Sequence, residues 1–136
     1  MTRLNSQLHK LIFASAIHVS LAVCADENPE LETLASNGYQ LHIHSQLKPI
    51  EINQIHSWIL ELSNDSGVIS GAEIVVQGGM PEHNHGLPTE PQMTEEVNPG
   101  TYLVEGIRFH MPGAWRVRFL IRVNGKETQA FLDFQL

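Results

Sequence analysis

Between Trp115 and Val123 apolar and polar positions alternate almost without interruption. Trp115, Val117, Phe119, Ile121 and Val123 fall on one side, and Arg116, Arg118, Leu120 and Arg122 on the other. A period of two marks a strand that buries one face, here leaving a mostly basic face to water. Asn124-Gly125 follows directly and tolerates positive φ at both central positions of a type I′ turn. Thr128, Ala130, Leu132, Phe134 and Leu136 then resume the alternation, so the C-terminal third is predicted to be a β-hairpin. Further strands are predicted over 38–45, 55–63, 71–77 and 101–109. They are separated by Asn-Asp-Ser-Gly at 64–67 and by a Gly/Pro-rich segment from Gly78 to Gly100, which reads as one long loop. Residues 27–35 read as a short helical or irregular lead-in. Six or seven short strands without an amphipathic helix predict an all-β chain, a small antiparallel immunoglobulin-like β-sandwich.

Length and charge narrow this further. The chain has 136 residues, 42% of them hydrophobic, which suits a single domain of ordinary core size. Only 17% are charged, the formal net charge is −7, and Lys and Arg form no cluster, so the electrostatic footprint of a nucleic-acid binder is missing. The N-terminus has a separate logic. Arg3 and Lys10 form a positive n-region before an apolar stretch from Leu11 to Val23, and Val23-Cys24-Ala25 places small residues before Asp26 in the manner of a secretory signal peptide. The expected organisation is a signal over 1–25, a lead-in over 26–37 and a sandwich over 38–136. The mature chain is then periplasmic or otherwise extracytoplasmic and soluble, with no integral membrane segment and no cysteine. The competing reading takes Leu21–Cys24 as a lipobox with Cys24 lipidated, but Val23 fits poorly where a small residue is needed.

The chemistry-bearing residues gather in two segments. Residues 78–91 contain Met80, His83 and His85, and Met93 follows shortly after. His110-Met111-Pro112-Gly113 leads into Trp115. His83 and His85 lie one residue apart, so on an extended backbone both imidazoles point the same way, as a chelating pair requires. Loops joining the strands of a sandwich can meet at one of its ends. Plainer readings stand beside this one. Histidines in a polar loop are commonly solvated, and Met80 and Met111 read equally as core fillers. His42 and His44 alternate with Leu41 and Ile43 on the exposed face of a strand, and His56 reads as an ordinary strand residue. Trp115 reads as core, Gly86 and Gly113 as backbone geometry, and Glu95-Glu96 as a solvated loop surface.

The stretch Gly78-Gly-Met-Pro-Glu-His-Asn-His-Gly-Leu-Pro-Thr, with Gly100 to Trp115 and the terminal hairpin, resembles the YtkA-like domain family, relatives of the FixH proteins. The His-x-His-Gly loop and the Met-Pro-Gly-x-Trp turn carry the resemblance, which extends over roughly residues 38–136. It implies an exported immunoglobulin-like sandwich with links to copper handling and respiratory-oxidase assembly. Ligand chemistry agrees, because thioethers favour Cu(I) while imidazole suits both oxidation states of copper. A blue-copper centre needs a thiolate that the mature chain lacks. The expected metal ligands are His83, His85, Met80, Met111, His110 and Met93, with copper as the cofactor. No Ser/His/Asp set with motif context, cysteine nucleophile or phosphate-cradling loop supports an enzyme. The sequence therefore predicts an exported, non-catalytic copper carrier working with an envelope or copper-handling partner protein. The alternative is a metal-free interaction or assembly module of a cell-envelope or respiratory complex.

Overall fold

The computed structural model describes residues 31–136, and the signal expected over 1–25, Cys24 included, lies outside the described residues. Ten strands follow: β1 (Leu31–Leu34), β2 (Gln40–Ser45), β3 (His56–Asn64), β4 (Gly67–Val68), β5 (Glu73–Met80), β6 (His85–Gly86), β7 (Gln92–Asn98), β8 (Thr101–Ile107), β9 (Ala114–Val123) and β10 (Lys126–Gln135). They form two antiparallel sheets. The first runs β1-β2-β3-β8-β7, with β4 paired to β3, and the second runs β10-β9-β5-β6. The all-β sandwich expected from the alternation is what the chain forms. No helix among the described residues is long and apolar enough to cross a membrane.

The hairpin of β9 and β10 has the anticipated register, with Phe119 opposite Ala130 and Val117 opposite Leu132. Its turn holds both Asn124 and Gly125 at positive φ, 50° and 76°, as the type I′ geometry requires. Trp115, Val117, Phe119 and Ile121 are all buried and face Leu41, Ile43, Trp58, Leu60 and Leu62 of the other sheet. Trp58 and Phe109 centre the aromatic part of the core, the latter 5.1 Å from Trp115 and 5.2 Å from Phe134 between ring centroids. Where the chain leaves β4 for the second sheet, the Tyr102 hydroxyl donates to the Ile69 carbonyl at 2.7 Å. It also accepts from the Ala72 N–H at 3.0 Å. This buried pair satisfies the backbone of a crossover that belongs to neither sheet's ladder.

Two segments depart from the sequence expectation. Residues 31–34 are β1, an edge strand with Leu31 opposite Ile43, rather than part of a helical or irregular lead-in. The segment from Gly78 to Gly100 is not one long loop: β5 continues to Met80, β6 returns at His85, and β7 lines the edge of the first sheet. Breaks in register between Met93 and Glu95 and between Glu96 and Asn98 interrupt the period of two along β7, which is why its sequence hides it. Glu96 is accordingly not a merely solvated residue. Its carboxylate accepts from the Gly100 N–H at 2.8 Å and the Gly71 N–H at 3.0 Å, tying β7 to the crossover.

Candidate functional site

The tip of the β5–β6 hairpin is a four-residue loop, Pro81 to Asn84, closed by the Met80 carbonyl. That carbonyl accepts from the N–H groups of His83 at 3.1 Å and Asn84 at 3.0 Å. Asn84 takes a left-handed conformation, φ 54°, which asparagine tolerates better than most residues. His85 then pairs across the ladder with Met80. The rings of His83 and His85 stack, 5.7 Å apart between centroids and 27° between planes.

The second segment is His110 to Gly113, between β8 in one sheet and β9 in the other. It is fastened on several sides. The Asn53 N–H donates to the Phe109 carbonyl at 2.7 Å, the Trp115 Nε1–H to the Met111 carbonyl at 3.0 Å, and Gly113 and Leu136 exchange two backbone hydrogen bonds. Gly113 has a φ of +131°, and a Cβ there would stand 2.7 Å from the Met80 methyl. The conformation calls for glycine, and at this position the Met80 methyl of the hairpin packs close to the His110–Gly113 turn.

The two segments also meet through their rings. His110 lies 5.5 Å from His85 and 5.5 Å from Trp115, the latter edge-on at 74°. A continuous row therefore runs from exposed His83 and His85 through half-buried His110 to the core. The His110 Nδ1 atom is buried and has no hydrogen-bond partner among the described residues. An unpaired buried ring nitrogen is costly unless something binds it.

Of the six expected ligands, the structure gathers His83, His85 and His110 into one row and sets Met80 against the turn that carries Met111. Met80 is buried and Met111 half-buried, and Met111 packs against the core. Met93 is placed elsewhere, on β7 opposite Val104 in the first sheet, half-buried against the core. Among the described residues no three His, Cys, Asp or Glu groups converge as they stand on a point where an ion would be held. Holding an ion between them therefore requires the exposed rings of His83 and His85 to turn from their stacked arrangement. The donor set of imidazoles beside thioethers suits copper.

The sequence reading assigns Trp115 to the core alone. It is buried, but its ring is also the wall against which His110 rests. The signal is the five-residue separation of the two in the Met-Pro-Gly-x-Trp turn. His42 and His44 stay apart from this row, on the outer face of the first sheet, where they stand 3.7 Å from Glu32 and 3.6 Å from Glu61.

Searches among curated proteins and among solved structures find no match to the chain. One family model matches, over residues 33–119, from β1 into β9 and across both segments of the site. That span is more than half of the chain, and the protein belongs to the YtkA-like family.

Proposed function

We propose that the protein is an exported, non-catalytic copper-binding protein. His83, His85 and His110, with the thioethers of Met80 and Met111, would hold the ion. The observation that carries this reading is the row of three imidazoles from two segments, ending on the unpaired, buried Nδ1 of His110. Copper supplies there a cation that accepts ring nitrogens and thioether sulfur together. The chain's own contribution is a fastened turn presenting His110 and Met111, and a hairpin tip whose two exposed histidines would turn onto the ion. Such a site suits loading from, and release to, a partner protein in the cell envelope. The second reading, a metal-free interaction module, draws support from the same rings, since as they stand they do not converge on one point.

Competition against a Cu(I) chelator under anaerobic conditions separates the two. The copper reading expects one ion per chain, with His110→Ala weakening retention at least about tenfold, roughly the loss of one good ligand interaction. It also expects Met111→Ala to harm Cu(I) retention more than Cu(II). Protein that retains no copper, or a His110→Ala variant that binds like the wild type, would overturn it in favour of the interaction module.

A further inference from the structure

On the outer face of the second sheet, β5, β9 and β10 bring their outward side chains into rows. Glu73, Arg122 and Glu127 form one row, Gln77, Arg118 and Phe131 another, and Gly79, Arg116 and Asp133 a third. Arg122 meets Glu73 at 3.1 Å and Glu127 at 3.2 Å. Arg116 holds Asp133 side-on through Nε and Nη2, each at 2.7 Å. Arg118 has no acidic neighbour in its row, and its Nε is buried without a hydrogen-bond partner among the described residues. In a chain with 15 acidic against 8 basic residues, this cation is without the counter-charge, among the described residues, that its two neighbours have. A half-buried guanidinium without a counter-charge carries a desolvation cost that an anion at its terminal nitrogens would offset.

Arg118 borders an open groove of about 390 Å³. Gly78, Gly79, His85 and Arg116 also line it, and Phe131, 43% exposed, supplies an apolar wall. Arg116 also lies over the Phe131 ring at 5.8 Å, which fixes that wall. We propose that this groove binds a carboxylate carried on an apolar body. Its two oxygens take the terminal Nη groups of Arg118, and its apolar part lies against Phe131. Guanidinium and carboxylate match as a planar, bidentate pair, and Phe131 adds a preference for an apolar substituent. The inference does not rest on copper, although the groove shares His85 and Met80 with the candidate metal site.

Benzoate titrated into EDTA-treated, isotopically labelled protein and followed by NMR tests this. The expected result is a saturable shift centred on the Arg118 guanidinium, the Phe131 ring and the backbone amides of 77–79. Arg118→Gln should weaken it at least about tenfold, as loss of one charge-assisted pair implies, and Arg122→Gln should leave it unchanged. Phosphate at equal ionic strength should not compete. N-acetylphenylalanine and an unblocked dipeptide ending in phenylalanine, compared with benzoate, distinguish a small aromatic acid from a peptide chain end as the source of the carboxylate. The proposal is overturned if benzoate gives no saturable shift, if Arg118→Gln binds as the wild type does, or if phosphate binds as tightly as benzoate. Because no metal is present, failure here leaves the copper reading standing, and failure to bind copper leaves this one standing.

Discussion

Phe119 and Arg118 are adjacent in sequence and opposite in environment. Phe119 is wholly buried, 6.3 Å from Trp58 between ring centroids, at the seam of the two sheets. Arg118 faces outward, opposite Gln77 and Phe131, with no ion pair among the described residues to lose. Truncating Phe119 removes transfer energy and leaves a cavity in a close-packed core, so Phe119→Ala should cost about 3–5 kcal/mol. Arg118→Ala should stay within about 1 kcal/mol. Urea melts of the two variants compared with the wild type measure the difference, and equal loss in both would mean that the register of β9 is wrong. This contrast is legible in the sequence because alternation alone assigns the two faces. The state of Met80 and His110 is not. Whether a methionine in a Gly/Pro-rich segment is buried, and whether a turn histidine lacks a partner, depends on residues far away in the chain: Gly113 against Met80, and Trp115 and His85 around His110.

Among elements, β7 shows how a strand can be real and yet unreadable. Gln92–Asn98 lies on a sheet edge, carries two breaks in register and has only Met93 and Val97 as apolar residues. Tertiary contact fixes it rather than periodicity, and Glu96 is the main fastener. Hydrogen bonds from the Gly100 amide, the Ser70 hydroxyl and the Gly71 amide favour the ionised carboxylate and hold its pKa below the usual value. In the unfolded chain these bonds are gone and the ordinary carboxylate value returns. The stabilisation is therefore fully present above the ordinary carboxylate range, and it is lost as pH falls through that range toward the folded value. Asp133, lowered by its hydrogen bond and charge interaction with Arg116, contributes with the same sign. Glu96→Gln should thus be less stable than the wild type at neutral pH, converge with it in acid, and show a flatter acid limb without abolishing it. Denaturant titrations across pH 2–7 test this, and parallel curves offset by a constant amount would deny the carboxylate this role. By contrast, β9 and β10 were readable to within two residues at either end, because both have a buried face and a turn whose chemistry is local.

At the scale of the molecule, the candidate site lies where the chain crosses from one sheet to the other, over the aromatic end of the core. His83, His85 and Met80 belong to the β5–β6 hairpin of the second sheet, whereas His110 and Met111 lie on the link from β8 in the first sheet to β9 in the second. An ion held by both segments would cross-link this end of the sandwich and bind only the folded chain. Binding to the native state alone stabilises it by about 2.7 kcal/mol when free ligand is at a hundred times its dissociation constant. Cu(I) should therefore raise the Tm by several degrees, an effect that grows with free copper and disappears on chelation. The two segments must then behave as one unit. In a cycle of His83→Ala, Met111→Ala and the double variant, the losses in copper-induced Tm shift should be non-additive by at least about 0.5 kcal/mol, since ligands of one ion are coupled. The metal-free melting points should show little such coupling, because neither exposed His83 nor half-buried Met111 is bonded to the other. Additive losses with copper present would mean that the two segments do not share an ion, and the ring row would then be a feature of packing at this end of the sandwich.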